Sequence, residues 1–246
     1  MSQLLITGAT GQLGSQIVSE LTAKYPIAQL SVLARSSEKG LPFTEKGITV
    51  KIGNYQDPSS LVEAMQGIDS VLLISSSDFN DRIGQHKNVI DAAKAAGVQH
   101  IFYTGVAIKN IETSPLKPLL GDHFETEAYI KQSGLTYTFL RNSLYADVVP
   151  MFIGANVLET GVFFPAGEGK VAFANRNDLA KAIAKIVASN GHENKTYHLT
   201  GSQAHSFSEI ASYLSELSGK EVPYISPSSA DFENALKGFG LPESII

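Results

Sequence analysis

The sequence predicts an α/β fold: a Rossmann-type doubly wound parallel sheet with a smaller C-terminal α/β region. Three observations carry that prediction. Short apolar runs alternate with helix-patterned stretches from residue 4 to residue 142. A glycine-rich turn, Gly8-Ala9-Thr10-Gly11-Gln12-Leu13-Gly14, separates the first run from the first helix. The composition, 43% apolar and 17% charged over 246 residues, supplies an ordinary buried core.

The elements follow in order. Leu4–Thr7 is a short apolar run closed by Gly8 and reads as a buried parallel strand. Leu13, Ile17, Val18 and Leu21 recur at helical spacing. Leu30–Ala34 and Ile48–Ile52 read as the second and third strands. Asp57-Pro58 opens a helix through Leu61, Ala64 and Met65, with proline suited to its first turn. Ser70–Ile74 is the fourth strand, 85–96 a helix stopped by Gly97, and His100–Thr104 the fifth strand. A helix over 122–132 is stopped by Gly134, and Thr136–Leu140 is the sixth strand. The remaining residues mix helices with short strands at Val162–Phe164 and Lys195–Leu199. Gly167-Glu168-Gly169 marks a turn, and Ser206 with Glu209 forms a capping-box signature before Ile210, Ala211, Leu214 and Leu217 on one helix face. Residues 1–142 are thus the expected nucleotide-binding domain. Residues 143–246 are a smaller substrate or lid region, not strictly separate.

Composition closes several routes. With no cysteine, disulfides, thiolate catalysis and Cys-based zinc sites are excluded. The six histidines show no H-E-x-x-H pattern, so no metal is expected. A formal charge of −5 argues against a broad nucleic-acid surface. No run of about 18 apolar residues is present, so no membrane association is expected. The N-terminus begins on a strand, without a basic stretch and apolar signal core, and the expectation is a cytoplasmic protein. No G-x-S-x-G nucleophile turn occurs either.

The glycine turn has the context that a dinucleotide site requires. Gly8 permits a tight turn, Gly11 lets the backbone approach a pyrophosphate, and Gly14 lets the helix pack on the strand. The helix N-terminus then offers N–H groups and a positive dipole end to the phosphates. An NAD enzyme places an acid at the end of the second strand for the ribose 2′-hydroxyl. Here Leu33-Ala34-Arg35-Ser36-Ser37 has no acid and an arginine. Arg35 suits a 2′-phosphate by a charge-assisted contact, with Ser36, Ser37 and Lys39 nearby, which favours NADPH; the alternative is a solvated strand-end charge.

The stretches Gly8–Gly14 (GATGQLG), Leu72–Ser77 (LLISSS), Gln85–Val98 (QHKNVIDAAKAAGV), His123–Glu127 (HFETE) and Thr138–Asn142 (TFLRN) resemble the NmrA-like atypical short-chain dehydrogenase/reductases. The likeness continues through Gly191–Leu199, Ser208–Lys220 and Ala230–Pro242, and is greatest to the quinone- and dye-reducing members. It implies NADPH as hydride donor and a quinone or similar small planar acceptor. By matching position it implies that Gly8, Thr10, Gly11, Gln12 and Leu13 wrap the pyrophosphate and that Arg35 meets the 2′-phosphate. Ser75, Ser76 and Ser77 would border the ribose and nicotinamide. Tyr103, Thr104 and Gly105 would lie at the same face, with Asn142, Ser143, Leu144 and Tyr145 closing over the nicotinamide. Family members usually continue past the position of Ile246 into a terminal helix. Whether this chain is naturally short stays open, and a substrate lid would be incomplete if that helix is absent.

Orthodox short-chain dehydrogenases use Tyr-x-x-x-Lys, and none of the nine tyrosines has lysine four residues on. Quinone reduction tolerates that absence, because its product anion is delocalised and aromatic and needs less help than an alkoxide. Orientation over the nicotinamide would then carry most of the catalysis. His123 is the best candidate for a proton donor or orienting residue, with Asn142 and Tyr145 beside the reacting centre. The alternative is a helix-surface pair of His123 with Glu127, one turn on. Gln85 and His86 read as structural or ribose-side residues rather than catalysts. Tyr145 and Phe79 are either aromatic faces for a flat substrate or core residues. Three functions remain: an NADPH-dependent quinone oxidoreductase, a non-catalytic NADP(H) sensor that contacts a transcription factor, and a reductase of dyes, nitro or azo compounds. A homodimer is the default assembly.

Overall fold

The structure is a computed structural model that describes residues 3–78 and 80–238. The chain forms two compact units: residues up to Ser143 with Arg176–Leu199, and Leu144–Asn175 with the residues from Thr200 onward.

The first unit is a seven-stranded parallel sheet with helical crossovers. Its strands are β1 (Leu4–Ile6), β2 (Leu30–Ala34), β3 (Thr49–Ile52), β4 (Ser70–Leu73), β5 (His100–Val106), β6 (Thr136–Asn142) and β9 (Lys195–Leu199), in the order β3-β2-β1-β4-β5-β6-β9. The central strands β1 and β2 are buried at every residue, as strands covered on both faces must be. The chain runs outward from β1 through β2 to β3, then returns to β4 on the other side of β1. That reversal opens a crevice at the carboxyl ends of β1 and β4.

The crossover helices are α1 (Gln12–Thr22), α2 (Ser37–Thr44), α3 (Pro58–Ala64), α4 (Arg82–Ala95), α5 (Lys117–Ser133) and α8 (Arg176–Val187). In α1 the buried side chains are Leu13, Ile17, Val18 and Leu21, as their spacing predicts. Asp57 caps α3 by accepting the N–H groups of Ser59 and Ser60, with Pro58 in the first turn. Two helices start earlier than the sequence suggests, α4 at Arg82 and α5 at Lys117, because their first turns are polar or contain Pro118. Helix α2 carries Gly40 and Pro42 and shows no helical pattern. It forms because Ser36 accepts the N–H of Lys39 and because Gly40 rests on β3, where a Cβ would lie 2.5 Å from Val50 Cγ1.

The expected division at residue 142 differs from these units. Residues 176–199, assigned by sequence order to the C-terminal region, return to the first unit. Helix α8 buries Leu179, Ala180, Ile183, Ala184 and Val187 and packs against α1, and β9 then pairs in parallel with β6. A parallel strand needs such a crossover, and α8 provides it.

The second unit contains α6 (Val149–Ile153), α7 (Val157–Thr160), α9 (Phe207–Ser218) and α10 (Ser229–Gly238). Its strands pair as β7 (Val162–Phe163) with β11 (Tyr224–Ile225), in parallel, and β8 (Lys170–Val171) with β10 (His205–Ser206), antiparallel. Its core is aromatic: Phe207 packs against Phe152, Phe164 and Phe173 in tilted or edge-on contacts. The capping box forms in both directions between Ser206 and Glu209. Leu217, expected on the apolar face of that helix, is instead exposed, while Ile210, Ala211 and Leu214 pack on the core.

Candidate active site

The carboxyl ends of the parallel strands gather most of the sequence-predicted residues on one edge of the sheet. Gly8 to Leu13 follow β1, Arg35 follows β2, and Ser75 to Ser77 follow β4. Tyr103 to Gly105 lie late in β5, and Asn142 and Ser143 end β6.

The glycine turn is built as an anion cradle. Gly8 takes φ of +61°, which L side chains rarely adopt, and its carbonyl accepts the N–H of Gly11. A Cβ on Gly14 would lie 2.2 Å from Gly8 O, so only glycine lets α1 sit this close to β1. A Cβ on Gly11 would lie 3.3 Å from Gly8 O, a tight contact but far less severe than the one at Gly14. Gly11 is the N-cap of α1, with no side-chain cap and no acid in the first turn, and Thr10, Gly11 and Gln12 are exposed. The helix therefore presents its first N–H groups and positive end outward.

Beneath this turn the Thr7 hydroxyl donates to Leu72 O and accepts from the Ile74 N–H and the Tyr55 hydroxyl. Burial raises the Tyr55 phenol well above its ordinary pKa, so it stays a neutral donor. Tyr55 thus ties β1 to β4 under the crevice, and no sequence motif pointed to it.

Arg35 is exposed at the end of β2, and no carboxylate of the described residues pairs with it. It stands one residue ahead of Ser36, the N-cap of α2, whose hydroxyl oxygen is engaged by the Lys39 N–H.

The serines after β4 sit in a bonded loop. The Ser75 N–H donates to Thr104 Oγ1, and the Ser75 hydroxyl to Ser76 O. The Ser76 hydroxyl donates to Gln85 Oε1 and accepts the Asp78 N–H, and the Ser76 N–H donates to His86 Nε2. Arg82 closes the loop from below, donating to Ser76 O, to Leu119 O and to Asp122 in a 2.7 Å ion pair. The side chains of Ser76 and Thr104 thus hold the loop in shape. Gln85 and His86, read as structural or ribose-side residues, do the same from α4.

His123 does not form the surface pair with Glu127. Glu127 is buried and takes both its oxygens to Arg141, at 2.8 and 2.6 Å, while the Arg141 guanidinium lies over the Phe124 ring. A bidentate arginine is a stronger partner for a buried carboxylate than a neutral imidazole is. His123 Nδ1 instead meets the Tyr103 hydroxyl at 2.8 Å. Burial, with Arg82 nearby, lowers the His123 pKa to about 4, so at neutral pH the ring is uncharged and serves as a hydrogen-bonding group. Tyr103, expected to face the cofactor, is wholly buried, with a phenol pushed up by burial; it lies behind His123.

Asn142 is buried at the end of β6, where its carbonyl accepts the Ala107 N–H, and the Ser143 N–H donates to Leu199 O. Tyr145 belongs to the second unit, half-buried at the start of a 3₁₀ turn and bridged to Ala174. Phe79 lies outside the described residues. Among the described residues no three His, Asp or Glu side chains gather as metal ligands, and no helix is long and apolar enough to cross a membrane.

A glycine cradle at the switch point of a parallel sheet, with an exposed arginine after β2, defines a dinucleotide-binding reductase fold. The NmrA-like family model matches residues 1–246, and the chain belongs to that family. It is 43% identical over 243 residues to Quinone oxidoreductase 2 of Escherichia coli K12, covering 98% of this chain and 84% of that one. The crystal structure of the E. coli NADPH-dependent quinone oxidoreductase QOR2 complexed with NADPH superposes with a TM-score of 0.92 at 41% identity, covering 98% of this chain and 84% of that one. The Citrobacter sp. triphenylmethane reductase complexed with NADP(H) gives 0.89 at 38% identity, covering 99% and 85%.

Proposed function

We propose that this protein is an NADPH-dependent quinone oxidoreductase. The observation that carries the reading is the pairing of two features: an α1 N-terminus that has no side-chain cap and no acid in its first turn, and an exposed Arg35 at the end of β2 with which no carboxylate among the described residues pairs. The first fits a pyrophosphate and the second a 2′-phosphate. The similarity to a quinone oxidoreductase along nearly the whole chain favours turnover over the sensor reading.

The bound cofactor supplies a hydride. Gly8, Thr10, Gly11, Gln12 and Leu13 hold its pyrophosphate, and Arg35 holds its 2′-phosphate. Ser75, Ser77 and Gly105 border the ribose and nicotinamide, on the loop that Ser76, Thr104, His86 and Arg82 keep rigid. Asn142 and Ser143 stand on the nicotinamide side. His123 orients a planar acceptor through a hydrogen bond to its oxygen. A quinone that takes the hydride would become a hydroquinone anion, and water would supply the one proton that completes the hydroquinone. Because His123 is neutral at pH 7, it stabilises the anion as a hydrogen-bond donor and does not protonate it.

The test is NADPH oxidation with purified protein and a small quinone, beside NADH and a quinone-free control. Quinone-dependent turnover that prefers NADPH is expected. Tight NADPH binding with no turnover on several quinones, and turnover on a triphenylmethane dye instead, would move the acceptor to that class. Binding with no turnover on either would restore the sensor reading.

A further inference from the structure

The protons around Tyr103 can be assigned one by one. His86 Nε2 accepts the Ser76 N–H, so the proton of that ring is on Nδ1, which donates to Thr126 Oγ1 at 2.9 Å. Thr126 passes its own hydroxyl proton to Asp122 O at 2.7 Å. The Ser75 hydroxyl proton is held by Ser76 O. Both hydroxyls that approach Tyr103, Thr126 and Ser75, have therefore spent their protons elsewhere. The strongest base that the Tyr103 proton can reach is the imidazole nitrogen 2.8 Å away.

From this chain of donors we propose that Tyr103 is a positioning residue. Its hydroxyl donates to His123 Nδ1, fixing the ring in place as the Nε2–H tautomer, so that the substrate meets a neutral N–H donor. The proposal rests on the reading above that His123 contacts the acceptor. Tyr103 is held for this work by its neighbours: its ring is wholly buried and sits edge-on to both His86 and Phe139. Its hydroxyl therefore has one orientation from which to fix His123. The tautomer matters because the opposite form would present a lone pair to the substrate oxygen. A lone pair would repel the developing anion, whereas an N–H stabilises it.

The test joins a spectroscopic readout with kinetics. Imidazole ¹⁵N–¹H correlation spectra of the wild-type protein should show His123 protonated on Nε2 alone, with an Nδ1 resonance displaced by an accepted hydrogen bond. In Tyr103→Phe that Nδ1 resonance should move to the value of a nitrogen that accepts none. The kcat for a quinone should fall several-fold, to roughly a tenth, while the dissociation constant for NADPH stays unchanged. His123→Ala assigns the resonance and tests the underlying contact. A proton on Nδ1 in the wild type overturns the proposal, as does an Nδ1 resonance that ignores the loss of the hydroxyl. Full kcat in Tyr103→Phe, with His123→Ala impaired, overturns the proposal alone. Full kcat in His123→Ala overturns the reading beneath it and the proposal together.

Discussion

His86 Nε2 accepts the backbone N–H of Ser76 at 3.0 Å, a contact that only a ring unprotonated at Nε2 can make. A protonated imidazole would place a second donor against that N–H. Burial is the larger cause, followed by His123 and Arg82, and together they lower the His86 pKa to about 3. The pH dependence of stability follows from the sign of the shift. The unfolded chain takes up a proton on His86 below its ordinary pKa of 6.5, and the folded chain does not until about 3. The stabilisation is complete above 6.5 and is lost as the pH falls towards 3, at about 1.4 kcal/mol per pH unit. His123 adds a loss of the same sign between 6.5 and about 4. Urea midpoints should therefore drop steeply from about pH 7 to about pH 5. His86→Ala should cost roughly 2–3 kcal/mol at neutral pH, since it leaves the Ser76 N–H unpartnered, yet show a shallower acid slope. An unchanged slope would show that His86 is charged in the folded protein.

Arg35 should decide the nicotinamide preference. The described residues offer no carboxylate to neutralise it, and it precedes the capped start of α2. One charge-assisted contact is worth about 1.5–3 kcal/mol, so Arg35→Ala should weaken NADPH roughly tenfold to a hundredfold and leave NADH little changed. Fluorescence titration with both nucleotides measures the ratio. An unchanged ratio would place 2′-phosphate recognition elsewhere.

Gly11 and Gly14 should fail in different ways. A Cβ at Gly14 meets the Gly8 carbonyl at 2.2 Å, so Gly14→Ala must push α1 off β1, at a cost of about 1–3 kcal/mol in folding stability as well as lost binding. A Cβ at Gly11 lies 3.3 Å from the Gly8 carbonyl oxygen, a tight contact that a small shift relieves, so Gly11→Val should lose less stability than Gly14→Ala but lose NADPH affinity, because the side chain fills the phosphate approach. Thermal unfolding and NADPH titration on the two variants separate these effects. Tight NADPH binding by Gly11→Val would mean that the turn does not hold the pyrophosphate.

Much of this site was legible because its chemistry is local in sequence. Gly8, Gly11 and Gly14 belong to one turn between a strand and a helix, and Arg35 falls where an acid would otherwise stand. Pairings between distant elements were not legible. Glu127 sits one turn from His123 on α5, and that spacing suggested a pair, yet Arg141 on β6 claims Glu127 and Tyr103 on β5 claims His123. Tyr55 carries no motif, because its function is a hydroxyl placed under β1 and β4 by the fold. The return of α8 and β9 to the first unit was hidden for the same reason. Sequence order says which elements follow one another, and sheet edges decide which of them pair.

The Glu127–Arg141 pair should matter to stability more than a surface ion pair does. Glu127 is 4% exposed and both its oxygens are engaged, with Gly105 close beside Oε1. Replacing it by alanine strands the Arg141 guanidinium between Phe124 and the sheet without its counter-charge, a change worth roughly 3–5 kcal/mol when a buried pair loses one member. Glu127→Gln keeps the shape and one acceptor, so it should cost less than the alanine variant. Replacing both partners, as Glu127→Gln with Arg141→Met, should recover part of the loss, because the desolvated charge is then gone. Denaturant unfolding of the two single variants and the double variant forms the cycle. Equal, small losses in both single variants would mean that water screens the pair and that it contributes no more than an exposed contact.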